Sequence, residues 1–331
     1  MRSEPEAPAI AANPLTPGSF QVELAPPDLH RWRAGNTGVP GFTSFTSGLP
    51  GPHVILLSLV HGNEFAGAIV LDQLLRAKLR PLRGRLTFGF ANLAAFDLFD
   101  PANPTSSRYV DVDLNRVWSQ DVLAGPERAQ ELERAREIRP LIESADILLD
   151  LHSMLWPSEP LILCGPTDSG LALAAQLGTP SLVVADHGHK NGARLIDHLP
   201  FTGQSAGRTA VLVEGGPHWS PATVDCLRAT VAALLRLTGQ AASGDPRLPP
   251  EEPLPPAPRI AHVTTAVTVA SHDFRFMQRY HGGTIIPWRD TLIARDGGRE
   301  IRTEYDDCLL VMPSARPARG HTAVRLARFE K

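Results

Sequence analysis

Apolar residues along this chain follow two different periods. Val54-Ile-Leu-Leu-Ser-Leu-Val60 is an almost unbroken apolar run with β-branched members, which predicts a buried strand. From Phe65 to Leu79 the apolar positions Ala66, Ile69, Val70, Leu74 and Leu75 recur at helical spacing. Two further short runs, Ala145–Leu151 and Thr209–Val213, read as buried strands. Phe20–Leu24 predicts an edge strand, and Pro126–Arg139 a polar surface helix with Pro126 at its first position. Ser220-Pro221 opens a helix that runs to about Thr238 and stops at Gly239. Val224, Leu227, Val231, Leu234 and Leu235 keep helical spacing, so that helix is a packing element.

After Ser243 the composition changes. Residues 243–259 carry Pro249-Pro250, Pro253 and Pro255-Pro256, which favours an extended linker. Beyond it, short strand-like pieces alternate with turns: Val263–Val269, Thr284–Ile286, Thr291–Ala294, Glu300–Thr303, Leu309–Met312 and Thr322–Leu326. Asp296-Gly297-Gly298 is a hairpin signal. The expected organisation is a large domain over 1–242, a linker over 243–259 and a smaller all-β domain over 260–331. Residues 1–18 are rich in Pro and Ala and read as loosely held.

The candidate chemistry sits where predicted strands end. His61-Gly-Asn-Glu64 places two metal-ligand types three residues apart between a strand and a helix. The carboxyl end of a strand is where α/β sheets keep their ligand sites, and an anion at a helix start is favoured by the dipole. A third ligand type, His152, follows Ala145–Leu151, and two histidines with a glutamate plus one open position form a catalytic zinc arrangement. Glu214 ends Thr209–Val213 and precedes Gly215-Gly216, a glycine-lined turn in which a carboxylate could take a proton from an acidified water. Arg108-Tyr-Val-Asp-Val-Asp-Leu-Asn-Arg116 offers planar guanidiniums suited to a carboxylate or a developing oxyanion. Asn115-Arg116 would hold a substrate carboxylate and Arg108 would polarise a carbonyl, with Asp111 and Asp113 orienting the cations. Each feature also has a plainer reading. His152 could be a core histidine satisfied by Asp150, Glu214 a solvent-facing residue, and the arginine segment an internal Arg–Asp network.

Taken together, His61-Gly-Asn-Glu64, Arg108-Tyr109, Asp113-Leu-Asn-Arg116, Asp150-Leu-His152 and Val213-Glu214 resemble the aspartoacylase and succinylglutamate desuccinylase family in order and spacing. The resemblance covers about residues 54 to 218. It implies an α/β fold, a mixed β-sheet flanked by helices as in zinc carboxypeptidases, with a smaller carboxy-terminal all-β domain that roofs the site. It implies one Zn2+ per chain bound by His61, Glu64 and His152, with Glu214 as general base and Arg108 polarising the carbonyl. Asn115 and Arg116 match the pair that grips the amino acid's carboxylate. The implied activity is hydrolysis of the amide bond of a small N-acyl amino acid. A peptide-cleaving metallocarboxypeptidase and a non-catalytic binding protein on the same fold are the alternatives.

The chain also departs from that pattern. Ten residues before the catalytic glutamate, aspartoacylase carries an arginine for the acyl group's own carboxylate; here Gln204 stands there, with Arg208 four residues on as a substitute. A neutral acyl group is the expectation from that exchange. His187, His189, His198 and His218 could suggest a second metal site, but without a cysteine or carboxylate at ligand spacing the loop from His187 to Gly207 reads as lining the substrate entrance. His321 stands near the position of the family's substrate-touching tyrosine.

Composition adds limits. A hydrophobic share of 43% with 20% charged residues is ordinary for a globular chain of 331 residues. A net charge of −3 gives no footprint for nucleic acid or an anionic membrane. Cys164, Cys226 and Cys308 are dispersed and read as free thiols in a reducing compartment. With no apolar leader or membrane span in the sequence, the cytoplasm is the expectation. The sequence leaves homo-oligomer formation open.

Overall fold

The computed structural model describes residues 20–188, 191–203, 207–251 and 257–330. Apolar runs become the central strands: β1 (Phe42–Thr46), β2 (His53–Ser58), β3 (Arg85–Phe90), β4 (Ile147–Met154), β5 (Leu161–Cys164), β6 (Leu182–Ala185) and β7 (Thr209–Pro217). The carboxy-terminal part contributes β8 (Arg259–Thr268), β9 (Arg275–Phe276), β10 (Ile285–Ile286), β11 (Leu292–Asp296), β12 (Arg299–Arg302), β13 (Cys308–Val311) and β14 (Thr322–Phe329). Helices α1 (Ala66–Arg76), α2 (Leu93–Asp97), α3 (Gln120–Ala124), α4 (Gln130–Glu143), α5 (Asp168–Leu177), α6 (Leu199–Thr202) and α7 (Pro221–Leu237) connect them.

Among the described residues, eleven strands join one sheet in the order β1-β3-β2-β4-β7-β5-β6-β8-β14-β13-β10. Strands β3, β2, β4 and β7 run parallel, whereas β5 meets β7 antiparallel, so the sheet is mixed. Period-two alternation divides its central strands between two cores. Val54, Leu56, Leu149, Leu151, Val211 and Val213 face the layer of α1, α5 and α7. Ile55, Leu57, Leu148, Ala210 and Leu212 face α4 and the segment carrying Trp118, Leu195 and Phe201. Burial, not capping, holds α1 in place. Its N-cap, Phe65, makes no side-chain cap, a deficit of ~1 kcal/mol. Val70, Leu71, Leu74 and Leu75 are all buried, at roughly 1.5–3 kcal/mol each.

The carboxy-terminal strands continue this sheet. β8 pairs parallel with β6, from Leu182↔Arg259 to Ala185↔His262, and β14, β13 and β10 follow antiparallel. A separate three-stranded sheet, β12-β11-β9, closes a third core around Val267, Ile293, Leu310 and Val324. Its β11–β12 hairpin turns at Asp296-Gly297, where Gly297 takes φ +60.

Three sequence expectations are corrected. Phe20–Leu24 forms no strand; it packs apolar side chains on the core and makes one ladder-like bond, Glu23 N–H to Trp219 O. Pro126 lies outside a helix, because α4 begins at Gln130, where Asp111 Oδ2 accepts the Gln130 N–H. Glu214-Gly-Gly-Pro217 is strand rather than turn, since β7 stays paired with β4 as far as Met154↔Pro217.

Candidate metal centre

Strand β2 stops at Ser58, and Leu59 turns the chain in a left-handed conformation, φ 58, a strained choice for a non-glycine residue. The turn presses Gly62 against the next segment. A Cβ there would lie 2.4 Å from Ala95 C and 2.5 Å from both Phe96 N and Ser107 O. Glycine alone permits this approach, which delivers His61 and Glu64 into the same turn. Glu64 therefore precedes α1 by two residues instead of lying in its first turn.

Glu64 is the hub. Its Oε1 lies 2.8 Å from His61 Nδ1, and its Oε2 lies 3.0 Å from His152 Nδ1. One donor atom from each of the three lies within 4.8 Å of the others, and all three side chains are buried. The remaining imidazole nitrogens face carboxylates: His61 Nε2 is 2.9 Å from Asp113 Oδ1, and His152 Nε2 is 2.9 Å from Asp150 Oδ2. His61 Nδ1 is buried without a hydrogen-bond partner. Carboxylates behind both imidazoles, with the other nitrogens converging on one carboxylate, is the donor arrangement of a metal site.

The electrostatics ask for positive charge at this point. Burial opposes ionisation of Glu64, yet His61 and His152 hold its carboxyl well below the usual range. Burial likewise opposes a charged His152, but Asp150 and Glu64 outweigh it and raise the imidazole well above its ordinary value. Asp113 is held low against burial by His61, Arg108 and Arg116. Three buried or half-buried acids thus face two imidazoles. A divalent cation satisfies that excess as well as protons do. The residues fit a metal ion.

Glu214 stands on the neighbouring strand in the position paired with His152. Adjacent parallel strands lie about 4.8 Å apart, so the register itself brings the carboxylate beside the cluster. Burial and the nearby Glu64 push its pKa up to about 8. Arg108 closes another side: Nη1 donates to Glu64 Oε1 at 2.9 Å, and Nη2 lies 3.3 Å from Asp113 Oδ2. The same cavity, about 540 Å³ in volume, is lined by Tyr109, Asn115, Arg116, Ser153 and His218. Met312, Pro313, Ser314, His321, Thr322 and Arg325 of the carboxy-terminal part also line it. Asn115 is committed structurally, its Oδ1 accepting Leu195 N–H at 2.8 Å.

Of the two acyl-group expectations, one does not reach the cavity and the other falls outside the described residues. Arg208 is exposed, precedes the first residue of β7 and does not line the cavity. Six residues of extended chain separate it from Glu214, on the order of 20 Å. Gln204 lies outside the described residues.

The model for the succinylglutamate desuccinylase/aspartoacylase catalytic domain matches residues 50–238, more than half of the chain. The chain belongs to this family. A probable aspartoacylase of Parasynechococcus marenigrum is 33% identical over 131 residues, covering 38% of this chain and 41% of that protein. A succinylglutamate desuccinylase of Pseudoalteromonas atlantica is 31% identical over 136 residues, covering 36% of this chain and 37% of that one. The aligned region thus spans about two-fifths of the length of these relatives. Among solved structures, the succinylglutamate desuccinylase of Vibrio cholerae gives a TM-score of 0.67 at 16% identity, covering 88% of this chain and 86% of that chain. At that identity the likeness is one of fold.

Ser153 lines the cavity without any signal in the sequence, and His218, offered there only as part of a second metal site, lines it too. Ser153 N–H donates to Glu64 Oε2, and Ser153 Oγ lies 2.8 Å from His218 Nδ1. Burial drives the His218 imidazole down to about 4, leaving it neutral. His198 is a packing histidine, its ring nitrogens 3.1 Å from Trp118 O and 2.9 Å from Glu143 Oε1. His187 is exposed, and His189 lies outside the described residues. Among the described residues, His61, Glu64 and His152 form the single group able to hold a metal. The segment after His187 is not an open loop: it forms a 3-10 turn, Leu195–Asp197, and then α6, and it contributes Asn191 and Arg194 to the cavity.

Proposed function

We propose that the chain is a zinc-dependent deacylase that hydrolyses the amide bond of a small N-acyl amino acid. The observation that carries this reading is the register of β4 and β7, which sets Glu214 beside His152 at the edge of a three-donor cluster. Two neutral nitrogens and one carboxylate oxygen suit zinc, with His61, Glu64 and His152 as its ligands. Bound there, zinc would act as a Lewis acid and acidify a water towards pKa ~7.

The chain's own residues account for the other steps. Glu214 takes a proton from the attacking water and returns it to the departing nitrogen. A carboxyl pushed up to about 8 by burial and by Glu64 is basic enough for the first transfer, and its conjugate acid serves the second. Arg108, anchored by Glu64 and Asp113, directs its half-exposed guanidinium at the carbonyl oxygen, where negative charge develops. Arg116, half-buried on the cavity wall, receives the amino acid's carboxylate.

A peptide substrate is disfavoured by the enclosure. Residues 312–314, His321, Thr322 and Arg325 border the same cavity, whose volume of about 540 Å³ suits a small molecule. A non-catalytic binding role is disfavoured by Glu214, a buried acid whose Oε2 has no hydrogen-bond partner beside the three-donor cluster. The test is direct. Zinc-loaded protein is assayed for amine release from a panel of N-acetyl and N-succinyl amino acids and from tripeptides. Turnover of the acyl amino acids at least ~100-fold above the peptides is expected, a margin that one carboxylate-anchoring interaction plus steric exclusion supplies. Preferred cleavage of the tripeptides would sink the reading.

A further inference from the structure

Strand β7 carries one residue more than the stretch of β4 it pairs with. From His152↔Glu214 to Met154↔Pro217 the chain takes two steps on β4 and three on β7, a β-bulge beside the metal centre. Gly215 and Gly216 permit it. Gly216 takes φ +130, and a Cβ on Gly215 would lie 2.6 Å from Leu227 Cγ of α7. Past the bulge the chain is pinned again: His218 N–H donates to Met154 O at 3.0 Å, and Thr223 Oγ1 to Pro217 O at 2.6 Å.

Two side chains delivered by this shift brace the turn that holds His61 and Glu64. His218 Nδ1 lies 2.8 Å from Ser153 Oγ, and Ser153 donates its own N–H to Glu64 Oε2 at 3.1 Å. Trp219 Nε1 donates to Asn63 O at 3.1 Å, and its ring meets the His218 ring edge-on, centroids 5.2 Å apart. Glu64, Ser153 and His218 are each at most 3% exposed, so these bonds are shielded from water. Ser153 lies where the β4–β7 ladder is interrupted, and its N–H turns to Glu64 instead of to β7. The regular ladder does not fix that N–H; the Ser153 hydroxyl, tied to His218, does. His218 itself stands outside the three-donor group, although it lines the same cavity. A ligating carboxylate is held by its outer hydrogen bonds, and losing one weakens its hold on the metal.

We propose that His218 is a positioning residue for the metal centre: by holding the Ser153 hydroxyl it aims the Ser153 N–H at Glu64 Oε2, and so tunes metal affinity without ligating the ion. This rests on the zinc site of the reading above, and its test measures metal binding instead of turnover, so the two can fail separately.

Wild type, His218→Phe, Ser153→Ala, their double variant and His218→Asn are each titrated with zinc against a fluorescent chelator, as full chains. Phenylalanine keeps a ring against Trp219 and removes Nδ1, whereas asparagine keeps a hydrogen-bonding atom near its place. His218→Phe should bind zinc roughly 10- to 100-fold more weakly. Ser153→Ala should lose about as much, and the double variant no more than either, because both break one linkage. His218→Asn should recover part of the loss. With cobalt in place of zinc, His218→Phe should still take up one ion per chain, with its visible absorption bands shifted as Glu64 is re-aimed. Unchanged zinc affinity in His218→Phe, or losses that add in the double variant, would overturn the proposal. Failure of His218→Phe to take up cobalt at saturation would make His218 a ligand and overturn it too. If His218→Phe does not fold, Ser153→Ala decides, and wild-type affinity there refutes the linkage. A wild type that binds zinc but cleaves no acyl amino acid sinks the deacylase reading and leaves the positioning role to stand on the affinities.

Discussion

Asp150 and His152 point to the same face of β4, two residues apart, and Asp150 Oδ2 comes to 2.9 Å from His152 Nε2. Strand periodicity makes the pair unavoidable, and its consequence is a fixed imidazole whose Nδ1 faces Glu64. Asp150→Asn should weaken zinc affinity roughly 10- to 100-fold, the usual effect of losing a carboxylate behind a ligating histidine. Competition against a fluorescent chelator measures it. Unchanged affinity in a folded variant would remove Asp150 from the metal site.

Glu214→Gln keeps the shape and removes the basicity. Activity should fall by about 10² to 10⁴, the range for a positioned general base, while zinc content stays stoichiometric. Rate assays alongside elemental analysis give both readouts. Loss of zinc together with activity would reassign Glu214 as a ligand.

Removing zinc should abolish amine release and also lower the melting temperature, because a ligand that binds only the folded chain stabilises it. At free zinc ~1,000-fold above its dissociation constant the effect is about 4 kcal/mol. Differential scanning calorimetry with and without chelator tests this. An identical melting curve would mean that the three-residue cluster does not bind the ion.

Gly62→Ala forces a methyl group into backbone atoms 2.4–2.5 Å away. A loss of ~1–3 kcal/mol or more in unfolding free energy is expected, since backbone cannot step aside like a flexible side chain. The turn carrying His61 and Glu64 moves with it, so zinc binding should weaken too. Denaturant titration and zinc competition should therefore change together.

Glu131 predicts an acid limit to stability. Burial disfavours its charged form, but N–H groups of Val110, Asp111 and Val112 and the Asn92 amide hold the carboxyl below its ordinary value. Its unfolded value is about 4.3. The stabilisation is complete above that pH and is lost as the pH falls through the lower folded value. Glu131→Ala strands three N–H groups of the segment leading to Asp113, at roughly 3 kcal/mol or more. Urea unfolding between neutral pH and pH 3 should show wild type and variant converging towards acid; a constant gap would exclude the ionised carboxylate as the cause.

Local pattern made much of the site legible. Val54–Val60 and Ala145–Leu151 announce strands through unbroken apolar runs, and the chemistry-bearing residues follow at their ends. The glycines after Glu214 mislead, because pairing with β4 overrides their turn preference. Phe20–Leu24 has a strand's alternation but no ladder to join. Arg194 and Arg325 could not be found locally. Nothing near either residue in sequence marks it; Arg194 meets Asp186 within its own segment, whereas Arg325 arrives there from β14.

The β6–β8 ladder gives the chain an unusual kind of seam. Cutting the polypeptide between residues 251 and 257 severs a covalent tether but none of the hydrogen bonds from Leu182–Ala185 to Arg259–His262. Two separately produced fragments would each carry an exposed edge that the other completes. Co-expressed, they should reassemble as a split protein, with Arg325 of one piece lining the same cavity as His61, Glu64 and His152 of the other.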